Sequence, residues 1–159
     1  MQIRKTNKGL EKVIKKAIKE IKAKKLAVGW SEKARYPNGD SVAEVAAQNE
    51  FGNPSKRIPP RPFMRPAIAN NKIKWKNTMQ KYYKNVVTGK TNLSTAFESV
   101  GLMVAGDIRV AITEVQSPKL APATIKARLR GRKHGGMIDK PLIDTGIMLN
   151  SITSEVQSE

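Results

Sequence analysis

The sequence predicts an α+β fold: two or three long helices on a small, mainly antiparallel β-sheet. Three observations lead there. Long stretches repeat apolar residues at three- and four-residue spacing, the mark of helices buried along one face. Two short segments carry strand patterns instead, Leu26-Ala-Val-Gly-Trp30 and the alternating Ile152-Thr-Ser-Glu-Val156. Neither an internal repeat nor a linker-like stretch divides the 159 residues, so a single domain spanning 1–159 is expected.

Taken in order, residues 7–24 read as an amphipathic helix. Leu10, Val13, Ile14, Ala17, Ile18 and Ile21 share one face, and Lys12, Lys15, Lys16, Lys19 and Lys22 occupy the other. Glu11 with Lys15 and Glu20 with Lys24 stand four apart in the favourable order, each contributing about 0.3 kcal/mol. The first strand follows, and Tyr36-Pro-Asn-Gly-Asp40 carries an Asn-Gly turn signal. Ser41-Val-Ala-Glu44 fits a capping box, which predicts a helix over 42–51 stopped by Gly52.

Arg57-Ile-Pro-Pro-Arg-Pro-Phe-Met-Arg-Pro then forms a rigid, extended strap. Pro59, Pro60 and Pro62 fix φ and supply no backbone donor, so the segment cannot pair as a central strand. A long helix is expected from Pro62 or Phe63, with an irregular first turn at Pro66, to about Asn85. It carries Ile68, Trp75, Met79, Tyr82 and Val86 at helical spacing.

After a break at 88–92, Leu93, Phe97, Val100, Val104, Ile108, Ala111 and Val115 predict a helix ending before Ser117-Pro118. Gly101 and Gly106 each weaken it by about 1 kcal/mol relative to alanine and point to close helix packing. Pro122 opens a short basic helix to Arg130, and a basic loop occupies 131–136. Asp144 or Thr145 is placed to cap a brief helix through Leu149, after which the second strand returns beside the first.

Composition limits the chemistry. There is no cysteine, so disulfides and thiolate metal sites are excluded. No apolar h-region follows the basic N-terminal residues, and the run from Val100 ends at Asp107, which argues against a signal peptide or a membrane span. The formal charge is +17, and residues 1–90 hold 22 basic against 6 acidic side chains. Such a field speeds encounters with polyanions or acidic surfaces.

No reaction site emerges. Gly89-Lys90-Thr91 lacks the upstream glycine of a phosphate loop, and Gly101 with Gly106 lies inside a periodic helix. His134 is the single histidine, too little for a zinc site or a serine triad. Asp139 and Asp144 have no spacing that suits shared-proton work. No catalytic residue, cofactor or metal is therefore assigned. Nonspecific nucleic-acid binding stays open as the alternative: Arg128, Arg130, Arg132 and Lys133 are DNA-facing candidates, and neutralising ~5 phosphates would give a salt slope near about −4.5. Trp75, Tyr82 and Tyr83 lie on an apolar stripe, which assigns them to a core.

An ordered set of motifs carries a resemblance. Glu50-Phe51-Gly52 precedes Ile58, Pro59, Arg61, Pro62, Phe63, Pro66 and Ala67. Two long helices later come Pro122, Thr124, Ile125 and Arg128, then Pro141-Leu-Ile-Asp-Thr-Gly146 with Ser151-Ile152. In this order the set resembles the tail-completion (virion morphogenesis, neck or minor tail) proteins of long-tailed bacteriophages. The resemblance implies a structural virion protein, assembled in the host cytoplasm, that joins head to tail or completes the tail, as a homo-oligomeric ring. Its implied partners are other connector, neck or tail proteins, with nonspecific contact to passing DNA and no membrane. Arg61, Phe63, Arg65, Asp144 and Thr145 are the partner-interface candidates, with Arg61, Phe63 and Arg65 anchoring the strap and residues 140–146 packing against it or a partner.

Overall fold

The computed structural model describes residues 2–130 and 138–158. Within them the fold is α+β, six helices and one two-stranded antiparallel sheet. The helices are α1 (Gln2–Lys22), α2 (Val42–Phe51), α3 (Met64–Val87), α4 (Leu93–Glu114), α5 (Pro122–Arg130) and α6 (Ile147–Asn150). The strands β1 (Lys24–Trp30) and β2 (Ile152–Ser158) pair with each other, as the alternation in the last segment predicts.

Local signals place most boundaries. Ser41 N-caps α2, its Oγ accepting from the Glu44 N–H, and Gly52 ends the helix at φ 79°, ψ 164°. That backbone region is open to glycine almost alone. A Cβ at Gly52 would also lie 3.0 Å from Pro60 Cδ, so this glycine lets the strap close back on the end of α2. Pro122 opens α5 as expected. Two starts differ from the sequence reading. α1 begins at Gln2 rather than near residue 7, because Arg4, Lys5 and Lys8 are good helix formers with no breaker among them. α3 begins at Met64, which leaves Pro66 in the first turn, where its missing donor costs nothing. One 3-10 turn, Pro54–Lys56, has no counterpart in the sequence reading.

The described residues group into two compact units, each assembled from separated stretches. The first comprises the described residues of 1–28, 72–104 and 154–159, and the second those of 29–71 and 105–153. In the first, Ala17, Val86, Leu93, Ala96 and Phe97 are buried, with Ile21, Leu26, Met79, Tyr82, Tyr83 and Val87 packed on them. Tyr82 and Tyr83 thus serve a core, and burial raises the Tyr83 pKa. Gly101 meets β2 closely, since a Cβ there would overlap the Ser154 side chain, whereas Gly106 faces open space. Close packing accounts for the first glycine and not for the second.

In the second unit, Val42, Ala46, Phe63, Ala67, Ile108, Ile112, Met148 and Ile152 are buried. Phe63 meets Trp30 edge to face, with centroids 5.8 Å apart and an interplanar angle of 90°. The Trp30 indole N–H donates to Met148 O at 2.7 Å. No helix among the described residues is long and apolar enough to cross a membrane.

Candidate functional site: a cation-lined groove

The site lies in the second unit and is built around one buried carboxylate and four arginines. Glu50, on the last turn of α2, is 4 % exposed. Its Oε2 accepts from the N–H groups of Phe63 (2.7 Å) and Met64 (2.9 Å), and its Oε1 from Arg65 N (3.2 Å) and Arg65 Nε (2.7 Å). Arg65 Nη2 also donates to Glu50 O at 3.0 Å. One carboxylate therefore satisfies donors that the start of α3 would otherwise leave unpaired, and its charge suits the positive end of that helix. Burial alone would raise the Glu50 pKa, but the bonds from the Arg65 side chain and from the three N–H groups outweigh it, and the pKa is lowered.

Arg61 is 6 % exposed. Its N–H donates to Asn49 O at 2.6 Å, its Nε to Pro118 O at 2.7 Å and its Nη2 to Lys119 O at 3.1 Å. Among the described residues it has no carboxylate partner. Desolvation, and after it the charge of Arg128, lowers the Arg61 pKa.

Arg128, on α5, gathers the late segment. Its Nη1 lies 3.2, 2.8 and 3.0 Å from the carbonyl oxygens of Ile138, Lys140 and Ile143, and its Nε is 3.6 Å from Asp144 Oδ1. Lys140 Nζ donates to Thr113 O at 3.4 Å. Arg109 repeats the device on α4, donating from Nε to Leu149 O (3.2 Å) and from Nη2 to Ile152 O (2.7 Å). Carbonyl clamping of this kind uses the planar, multi-donor guanidinium in a way that an ammonium cannot copy.

These clamps bring three stretches onto one open groove of about 990 Å³. The strap lines it from Pro54 to Arg61, the start of α5 from Lys119 to Arg128, and the late turn from Leu142 to Met148, with Tyr36, Asn38, Asp40, Val45 and Asn49 closing one side. Five of the lining side chains are cationic (Lys56, Arg57, Arg61, Lys119 and Arg128) and two are acidic (Asp40 and Asp144). Burial, and after it the charge of Asp144, raises the Tyr36 pKa. The non-glycine residues with positive φ, Arg57 (54°) and Leu142 (62°), both line the groove. Leu142 sits at the centre of a three-residue turn closed by Ile143 N–H to Pro141 O at 2.8 Å. Strained backbone of this sort concentrates at working surfaces.

The residues expected at the site divide as follows. Arg61 and Phe63 anchor the strap from inside and are buried. Arg65 anchors it from outside, with its side chain 60 % exposed and its guanidinium 5.1 Å from the centroid of the Phe51 ring. Asp144 and Thr145 are exposed on the groove wall. Asp144 does not cap α6: Gly146, at φ 77°, holds the N-cap position without a side-chain bond, and Asp144 is drawn to Arg128 instead. Thr145 Oγ1 accepts from Ile147 N–H at 3.4 Å.

Of the DNA-facing candidates, Arg130 is exposed, but Arg128 is not free to meet phosphate. Its side chain is 11 % exposed and engaged by carbonyls. Arg132 and Lys133 lie outside the described residues, as do the basic loop and His134. Glu50 as a helix cap and Arg109 as a clamp escape the sequence reading; the available signal for Arg109 is a lone arginine next to the apolar stripe of α4. Comparison with protein-family models, curated proteins and solved structures gives no match.

Proposed function

We propose that this chain is a structural phage virion protein that acts in head-tail joining or tail completion, at the neck or the proximal tail end, as a subunit of an oligomeric ring. One observation carries the reading. Part of each of three motif stretches, Ile58, Pro59 and Arg61 of the strap, Thr124 and Arg128 of α5, and Leu142, Asp144, Thr145 and Gly146 of the late turn, lines a single groove held by Arg61 and Arg128. Residues that only stabilised their own segments would have no reason to share one open surface. The strap is stiff, the groove is mainly cationic, and Asp144 and Thr145 keep exposed surface on it, all of which suits docking to a neighbouring subunit. The partners in this reading are connector, neck or tail proteins, the site of action is the virion, and no reaction step is included.

The experiment is direct. Purified particles are analysed by mass spectrometry and immunogold labelling, and lysates lacking the gene are imaged. The reading expects the chain in mature particles at the head-tail junction, and unjoined heads and tails without it. Normal particles made in its absence would refute it.

One observation favours a second reading, nonspecific nucleic-acid binding. In the first unit Lys12, Lys16, Lys19 and Lys22 are exposed on α1, and Lys72, Lys76, Lys81 and Lys84 on α3. Tight, salt-steep binding to free nucleic acid, with no particle association, would favour it.

A further inference from the structure

We propose that the groove of the second unit takes an extended acidic segment of a neighbouring protein, with the carboxylates of that segment seated on the exposed Lys56, Arg57 and Lys119 and drawn by the charge of the buried Arg61. This names a partner class for the assembly site and rests on the assembly reading for the segment's source.

Charge is the first ground. Among the described residues none of these four cations has an ion pair. The two groove acids face other groups: Asp144 lies beside Arg128, and Asp40 accepts from Asn38 Nδ2 at 2.7 Å. These four cations therefore leave uncompensated positive charge in the groove. Arg61 adds a charge that water reaches little, because the residue is 6 % exposed and its guanidinium is offset only by carbonyl dipoles. A carboxylate entering the groove would supply the missing counter-charge where solvent screens it least.

The backbone sets the mode of recognition. Pro59 and Pro60 form the exposed floor and have no N–H to offer, so a visiting strand cannot extend a ladder there. Affinity must come from side chains, and the cationic side chains are the ones available. The strained backbone at Arg57, φ 54°, holds one of them on the rim.

Polypeptide fits better than nucleic acid. Asp40 and Asp144 share the groove with the cations and would repel a continuous phosphate chain, whereas a peptide offers N–H donors to them. Tyr36, the one aromatic side chain among the lining residues, is half-buried near the charge of Asp144, so the groove lacks the row of exposed rings on which successive bases stack.

The test uses the full chain and fluorescence anisotropy with three labelled probes: a Glu-rich peptide, its Gln counterpart, and a single-stranded oligonucleotide. The Glu peptide is expected to bind at least about tenfold tighter than the Gln peptide. The combined variant Lys56→Ala, Arg57→Ala, Lys119→Ala is expected to lose about tenfold or more in affinity. A charge-matched variant on α1, Lys12→Ala, Lys16→Ala, Lys19→Ala, is expected to change it by less than about twofold. Arg57→Asn, which suits the left-handed backbone, keeps the measurement decisive if the combined variant unfolds, and should weaken the Glu peptide by about threefold. Equal affinity for both peptides would overturn the proposal. So would equal losses from groove and α1 variants, or a preference for the oligonucleotide that the groove variants reduce. Peptide binding by a protein absent from particles would overturn the assembly reading alone, and particle location without peptide binding would overturn only this inference.

Discussion

The two units carry their positive charge in chemically different forms. By sequence the first unit holds fifteen of the 21 lysines and one of the nine arginines, while the second holds eight arginines and six lysines. In the first, Lys12, Lys15, Lys16, Lys19 and Lys22 of α1 stand exposed around a core of Ala17, Phe97 and their neighbours, and an ammonium on a flexible stem is suited to water. In the second, Arg61, Arg109 and Arg128 are turned onto main-chain carbonyls, where a flat fork holds fixed geometry. The difference teaches that net charge alone says little about function. The first unit's cations make a long-range field, whereas the second unit's cations tie distant loops together and shape one groove.

The sharpest way to break this comparison is to remove the hub of the second unit. Glu50→Ala strips a buried acceptor from three N–H groups and from Arg65, and should lower unfolding stability by about 3 kcal/mol in chemical denaturation. Because the folded pKa of Glu50 is lowered, its contribution is complete above the ordinary glutamate value of about 4.3 and is lost as pH falls through the folded pKa. The gap between wild type and Glu50→Gln should therefore narrow in acid and stay constant from neutral pH upward. A constant gap at all pH values would contradict the assignment.

Next in size, Gly101→Ala should cost about 2 kcal/mol, since the new methyl meets Ser154 in the first unit. On the same helix, Gly106→Ala meets nothing and should add about 0.7 kcal/mol. Thermal unfolding of the pair reads both signs. Arg61→Lys should cost about 1.5 kcal/mol, because an ammonium cannot reach the carbonyls of Pro118 and Lys119 with the same geometry. The reciprocal exchange Lys16→Arg in the first unit should stay within about 0.5 kcal/mol. Equal effects at positions 61 and 16 would erase the distinction between the units.

Much of the fold is legible locally. Ser41 and Gly52 bracket α2, Pro122 opens α5, and the apolar stripe from Leu93 traces α4, because caps, breakers and periodicity act over a few residues. The strand at Ile152 is legible from its alternation. The site is harder to read. Phe63 and Arg65, whose N–H groups Glu50 caps, stand 13 and 15 residues away, and in α2 Glu50 reads as an ordinary helix-end acid. Arg61 reaches carbonyls 57 and 58 residues later, and Arg109 reaches 40 and 43. A carbonyl acceptor leaves no mark in sequence, since every residue has one. Asp144 reads as a cap by proximity to α6, and Arg128 claims it through tertiary packing. The motif order marks stretches that contribute to the groove, although not the face they share.

The most direct test of the account is the position of this polypeptide in purified phage particles, read by immunogold labelling and particle reconstruction. The account predicts density for a ring of these chains at the head-tail junction or the proximal tail end. Particles that lack the chain, and assemble normally when its gene is removed, would contradict it.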